Sequence, residues 1–144
     1  PMNPELLALA ENSDPKAVDL MMDFAHGPSG HFGGHPVPGL YHLNTGSMLV
    51  QSKEIKDTLG VDFRACENYT NGFEAAKKLD LPTLSILADK DRMCRLKDGK
   101  KLADHIKGSD VHVIKNCGHM MLLEEADQTL AILKRFILDK YPIT

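Results

Sequence analysis

Two short apolar runs, separated by a stretch with helical spacing, constrain the fold of this 144-residue chain more than any other feature. The runs are residues 83–88 (TLSILA) and 111–114 (VHVI). Short, mostly apolar runs are typical of strands buried inside a parallel sheet. Between them, apolar and small residues recur at helical spacing: Gly99, Leu102, Ala103 and Ile106. The order of strand, helix and strand predicts parallel pairing and an α/β fold.

A last helix is predicted over residues 124–140, after the second strand. Its apolar stripe consists of Leu123, Ala126, Leu130, Leu133 and Ile137. This spacing is typical of a helix that packs one face against a core. Residues 81–144 are therefore predicted to form one unit of strand, helix, strand and helix.

The preceding part, residues 1–80, is predicted to be mainly helical. Helical spacing covers residues 4–25, where Asp14 and Pro15 provide a cap and a first-turn proline. Residues 27–39 are so rich in glycine and proline that a long loop is expected. Further helical patches are predicted over residues 40–50 and from Asp62 onward, and a break in the second is expected at Asn71 and Gly72.

Composition and charge restrict the class of protein and of partner. Hydrophobic residues make up 42% and charged residues 26%, as in soluble globular proteins. The net charge of -3 and the lack of a Lys/Arg run argue against a nucleic acid or an anionic membrane as partner. A small or neutral partner, such as a small-molecule substrate, fits this charge balance better.

The compartment is predicted from the cysteines and from the lack of targeting signals. Cys66, Cys94 and Cys117 are odd in number and lack CxxC spacing, which favours reduced thiols. We find neither a membrane-spanning stretch nor a signal peptide, so a cytoplasmic location is expected. Because Pro1 precedes Met2, we also expect this sequence to be a piece of a longer protein.

The loops that follow the two predicted strands contain the most informative polar residues. Asp89 and Asp91 follow the first strand, and His119 follows the second. The carboxyl ends of parallel strands meet at one edge of a sheet, where ligands and catalytic groups gather. An acid and a histidine in these two loops can therefore meet in space, although a helix separates them in sequence.

The segments LPTLSILADKDRM and VHVIKNCGHMMLLEEADQTLAILKRFI resemble the end of the α/β-hydrolase fold, over residues 81–137. In that superfamily the acid lies in a G-x-x-D pattern, here Ala88 to Asp91, and the histidine in a Gly-His pair, here Gly118 and His119. Ala88 departs from the usual glycine. The resemblance implies that Asp91 orients His119, which would act as general base and then general acid. Asp89 is the rival for the acid role.

The same resemblance implies that residues 1–80 form the helical cap that lies over the active site of such enzymes. This cap would shape a substrate pocket. The superfamily's Gly-Xaa-Ser-Xaa-Gly nucleophile elbow does not occur in this sequence. Ser29 lies in GPSGH, where the second glycine comes one position early and no strand precedes it. We therefore expect a C-terminal portion of a hydrolase, inactive without its nucleophile. The alternative is a catalytically silent binding or oligomerising module.

The cysteine next to Gly118 and a group of histidines each allow a catalytic or metal-binding interpretation and a simpler one. Cys117 could be a thiol nucleophile, but a buried small hydrophobic residue is expected instead. The histidines of one loop region could hold a metal, but their spacing of five, four and seven residues matches no zinc signature. These are His26, His31, His35 and His42. We expect no cofactor and no metal, and a homo-oligomer or a missing N-terminal half as partner, because two isolated strands leave an unpaired edge.

Overall fold

The computed structural model describes residues 2–28 and 57–141 of the chain. Within these ranges, four helices come first, followed by a strand, a helix, a second strand and two more helices. Their bounds are α1 Pro4–Glu11, α2 Lys16–Ala25, α3 Thr58–Asn68, α4 Gly72–Ala76, β1 Leu84–Ala88, α5 Leu96–Ala103, β2 Asp110–Ile114, α6 Met121–Glu124 and α7 Ala126–Lys140.

The two strands pair in parallel, with Leu84 opposite Asp110 and Ala88 opposite Ile114. This pairing confirms the predicted α/β class. Helix α5 lies against the face that carries Leu87, because a Cβ on Gly99 would lie only 2.6 Å from Cδ2 of that side chain. Helix α7 covers the opposite face, where a small buried cluster consists of Ala88, Ile114 and Cys117, packed by Ile86, Met121 and Ile132. Each face of the sheet is thus covered by one helix.

The N-terminal helices pack around a separate cluster. Leu6, Ala10 and Ala17 are buried at its centre, and apolar side chains of α1, α2 and α3 surround them. The chain turns between α1 and α2 at Ser13, whose φ of 53° lies in the left-handed region. Asp14 then accepts a hydrogen bond from the amide of Lys16 at 3.0 Å, as expected of a capping residue. The described residues thus include two separate buried clusters, one among the N-terminal helices and one at the sheet.

The buried face of the last helix differs from the predicted one. Thr129 is buried, and Ile132 and Phe136 are partly buried, so these residues face the sheet. The predicted stripe faces solvent instead along α7, where Leu130 is 52% exposed and Leu133 and Ile137 are also exposed. The difference arises because a two-stranded sheet is narrow. It can cover the side of α7 that carries Thr129, but it cannot also cover the side that carries the predicted stripe.

Other predictions from the sequence differ in detail. The helix predicted to start at Asp62 begins at Thr58, one turn earlier. It ends at Asn68, so the predicted break before Gly72 is confirmed. The predicted patch over residues 40–50 and nearly all of the Gly/Pro-rich loop lie outside the described residues. Within residues 2–28 and 57–141, no helix combines the length and the hydropathy needed to cross a membrane.

Candidate active site

The loops that leave β1 and β2 are joined directly by backbone hydrogen bonds. The amide of Asp89 donates to the carbonyl of Ile114 at 3.0 Å, and the amide of Lys90 donates to the carbonyl of Cys117 at 2.9 Å. Between these two carbonyls, Asn116 turns the chain with a φ of 55°, in the left-handed region that Asn tolerates better than most residues. The two loops therefore lie side by side at the carboxyl edge of the sheet.

Asp91 and His119, the two predicted site residues, lie in contact at this edge. Nδ1 of His119 is 2.9 Å from Oδ2 of Asp91. The other carboxylate oxygen, Oδ1, accepts hydrogen bonds from the amides of Met93 and Cys94, both at 2.8 Å. Only 5% of the Asp91 side chain is exposed, against 42% of the imidazole. The carboxylate is thus fixed on both sides, whereas the histidine is open to solvent on one side.

The hydrogen bond between the two side chains determines how the imidazole can act. An ionised carboxylate only accepts, so Nδ1 of His119 donates its proton to Asp91 and Nε2 carries a free lone pair. The pKa of His119 is raised, first by the hydrogen bond that it donates to Asp91 and further by the negative charges of Asp91 and Glu124, while burial opposes the rise. The arrangement can take a proton at Nε2 and stabilise the resulting imidazolium.

Asp89, the rival acid, lies near a lysine rather than the histidine. Its Oδ2 lies 4.0 Å from Nζ of Lys115, and its Oδ1 is buried without a hydrogen-bond partner among the described residues. Within the described part of the chain, no hydrogen bond or ion pair joins Asp89 to His119. Geometry therefore favours Asp91 as the partner of the imidazole.

Cys117 lies two residues before the histidine and is completely buried. Burial is the largest cause that raises the pKa of its thiol to about 12, and the nearby carboxylates of Glu124, Glu125, Asp89 and Asp91 raise it further. A thiol with this pKa stays protonated at neutral pH and is a poor nucleophile. The structure thus agrees with the interpretation of Cys117 as a core residue.

The end of α2 anchors the histidine loop, a contact that the sequence did not predict. The carbonyl of Ala25 accepts hydrogen bonds from the amides of His119 and Met120, at 2.7 and 3.1 Å. In the loop after β1, Nη1 of Arg92 lies 3.1 Å from a carboxylate oxygen of Asp23, and its guanidinium carbon is 4.9 Å from the ring centre of Phe24. Helix α2 therefore contacts both loops.

A cavity of about 490 Å³ opens beside this junction, between the end of α2 and the loop after β1. It is lined by Asp23, His26, Gly27, Pro28, residues 89–91 and Arg92. His26 is one of the four histidines whose spacing matches no zinc signature. Its Nδ1 donates a hydrogen bond to the carbonyl of Met22 at 2.9 Å. The other three histidines, and Ser29, lie outside the described residues. Among the described residues, no group of three or more potential metal ligands occurs.

Comparisons with known proteins identify hydrolases. No family model matches the sequence. In its C-terminal half the chain is 33% identical over 64 residues to a proline iminopeptidase of Lactobacillus crispatus strain ST1, a match of 44% of this chain and 22% of that protein. Another proline iminopeptidase, from Lactobacillus acidophilus, is 35% identical over 60 residues.

Solved structures match almost the whole chain. A thermophilic esterase superimposes with a TM-score of 0.74 and 25% identity, over 99% of this chain and 53% of the esterase. The 2-hydroxy-6-oxo-6-phenylhexa-2,4-dienoate hydrolase of Rhodococcus sp. strain RHA1 superimposes with a TM-score of 0.73 and 20% identity, over 95% of this chain and 51% of the hydrolase. The chain thus spans about half the length of these structures, and its match covers about a fifth of the curated relatives.

Proposed function

We propose that this chain, which has the C-terminal part of the α/β-hydrolase fold, supplies the acid and the general base of a nucleophile-histidine-acid triad for the hydrolysis of esters or related substrates. The observation that carries the proposal is the contact between Asp91 and His119. An acid in the loop after one strand and a histidine after the next, joined at 2.9 Å through Nδ1, leave Nε2 ready for proton transfer.

In this proposal, Nε2 of His119 takes the proton of a serine hydroxyl as its oxygen attacks the carbonyl carbon of the substrate. The imidazolium that forms is stabilised by the carboxylate of Asp91, whose own position is fixed by two backbone amides. Nε2 then gives the proton to the leaving alkoxide, and an acyl-enzyme remains. Water attacks this ester in the second half of the cycle while Nε2 takes its proton, and Nε2 then returns the proton to the serine oxygen as the carboxylic acid leaves. No step needs a metal or a cofactor.

The nucleophile has to come from polypeptide outside these 144 residues, since the sequence has no Gly-Xaa-Ser-Xaa-Gly elbow. We assign the cap role to residues 1–80 and the core role to residues 81–144. This division is supported by the two separate buried clusters, and by the contacts of α2 with both loops of the site. The cavity beside Asp91 lies where a cap would meet the core, so it is the proposed entrance for substrate.

A second candidate is a catalytically silent module that binds another protein chain, including a second copy of itself. The exposed apolar side chains along α7 favour it, because an apolar surface of this kind is typical of an interface. The two candidates differ in what they predict for the full-length product of the gene. Only the hydrolase needs a strand and a nucleophile elbow encoded upstream of Pro1.

A fluorophosphonate probe tests the proposal, because it forms a covalent bond with a serine that a general base activates. We expect the full-length gene product to be labelled, and the 144-residue chain and the full-length His119→Ala variant to remain unlabelled. The matched control is His112→Ala, which removes a histidine of β2 that lies 3.3 Å from Arg135, and it should keep the label. Labelling of the 144-residue chain, or an unlabelled full-length product, would contradict the proposal, and the second result would favour the silent module.

A further inference from the structure

Glu124, the last residue of α6, is a buried carboxylate to which the proposed mechanism gives no role. Only 6% of the residue is exposed. Burial of a charge costs free energy unless hydrogen bonds compensate for the lost water. Here the compensation comes from backbone amides: Gly27 donates to Oε1 and Oε2 at 3.1 and 3.0 Å, and Gly118 donates to Oε2 at 2.9 Å. One carboxylate thus bridges the residue after His26 and the residue before His119.

The two glycines approach each other so closely that no side chain fits between them. A Cβ on Gly27 would lie 2.5 Å from the amide nitrogen of Gly118 and 2.6 Å from Oε2 of Glu124. A Cβ on Gly118 would lie 2.6 Å from the carbonyl carbon of His26. The absence of both side chains is what lets two amides point at one carboxylate.

The bridge lies directly beside the second contact between these segments. The carbonyl of Ala25 accepts from the amides of His119 and Met120, so four backbone amides within residues 25–27 and 118–120 take part in one small network. Hydrogen bonds to a charged acceptor are stronger than those between neutral groups. Glu124 therefore contributes charge-assisted bonds to the network that holds the His119 loop in place.

We propose that Glu124 is a positioning residue, which fixes the backbone of the His119 loop against the end of α2 so that the imidazole meets Asp91. The inference rests on the proposed function for its catalytic meaning, although the bridge itself can be tested without substrate. In the working enzyme, loss of the bridge would let the imidazole drift, and small misplacements of a catalytic group reduce the rate strongly. Its negative charge also contributes to the raised pKa of His119.

The test is NMR of the ¹⁵N-labelled chain, comparing Glu124→Gln with Glu125→Gln as matched control. Glu125 is the adjacent residue, loses the same charge in the control, and is not among the groups that raise the pKa of His119. In Glu124→Gln we expect the titration midpoint of His119 to fall, and the amides of Gly27 and Gly118 to exchange about tenfold faster or more. Unchanged exchange and an unchanged His119 midpoint in Glu124→Gln would overturn the proposal, as would equal changes in the control.

A second measurement needs no variant and decides the case if Glu124→Gln does not fold. In the wild-type chain, the amides of Gly27 and Gly118 should be as strongly protected from exchange as those of His119 and Met120, because one network holds all four. Exchange of Gly27 and Gly118 at the rate of unprotected amides would refute the bridge. Neither experiment needs a nucleophile, so a confirmed bridge combined with a full-length product that fails to label would reject the proposed function and leave the structural role of Glu124 intact. Where the full-length enzyme is active, Glu124→Gln should lower kcat more than it changes KM.

Discussion

Nδ1 of His119 and Oδ2 of Asp91 lie 2.9 Å apart, although 28 residues separate them in sequence. The contact depends on the parallel pairing of β1 and β2, which places the two strand ends at the same edge, with Ala88 opposite Ile114. The amides of Met93 and Cys94 hold the far oxygen of the carboxylate. The pair is therefore built by the sheet and by local turns, and it can be tested in the chain as it stands.

The raised pKa of His119 predicts a pH-dependent stability. The folded state binds the proton more tightly than the unfolded state, so the stabilising contribution is complete below the ordinary pKa of 6.5 and is lost as pH rises through the folded pKa. The free energy of unfolding, measured with urea between about pH 5 and about pH 9, should fall across that interval. Asp91→Asn should reduce this fall, because it removes the largest cause of the shift. Because 42% of the side chain is exposed, the effect should be small.

A side chain at Gly118 should destabilise the fold. In Gly118→Ala the new Cβ would meet the backbone of His26 and Gly27, which cannot move away without breaking the network at Glu124. We expect a loss of about 1–3 kcal/mol, typical of overpacking. Gly72→Ala is the control, since its Cβ would lie 3.4 Å from the ring of Tyr69 and the residue is helical. Thermal unfolding of both variants measures the difference, and equal stability of the two would show that the close approach is not needed.

The cysteines should differ in reactivity. Cys66 and Cys94 are exposed, whereas Cys117 is buried and its pKa is raised to about 12. In a Cys66→Ala/Cys94→Ala chain, a thiol reagent at pH 8 should react with less than one tenth of the protein in the native state and with one equivalent after unfolding. Rapid reaction of Cys117 in the native chain would contradict its burial and would revive a role as nucleophile.

The 144-residue chain should self-associate, most simply as a homodimer. The exposed apolar residues of α7 and the short sheet, whose strands lack further partners among the described residues, both favour contact with another chain. Light scattering over a dilution series should show a mass above that of a monomer at micromolar concentration. Leu133→Lys should shift it toward monomer, and Val61→Lys, at an exposed position of α3, should not. A wild-type monomer with cooperative unfolding would show that the chain closes its own core.

The sequence predicted the elements that depend on local pattern. Residues 83–88 and 111–114 are apolar runs too short for helices, and they form β1 and β2. The place of Asp91 and His119 at the strand ends followed from the parallel order. Helix α7 shows the limit of this prediction. Periodicity predicts that its apolar stripe is buried, whereas in the structure Thr129 and Ile132 face the narrow sheet and the stripe is exposed.

Glu124 shows a second limit of prediction from sequence. A glutamate at the start of a predicted helix is typical of a solvated first turn, and periodicity does not indicate which backbone amides will approach it. Its partner Gly27 is 97 residues away in sequence, just after the end of α2. The contact therefore depends on how the N-terminal helices pack against the sheet. Only the assembled structure brings the two together.

The kinetics of ester hydrolysis by the full-length gene product test the central claim most directly. We predict turnover of an activated short-chain ester that falls about 10³-fold or more in kcat in both His119→Ala and Asp91→Asn, while Asp89→Asn stays within about tenfold of wild type. The 144-residue chain should show no turnover above buffer. If both His119→Ala and Asp91→Asn retained the wild-type rate, or if Asp89→Asn lost as much activity as Asp91→Asn, the assignment of Asp91 and His119 as acid and base would be wrong.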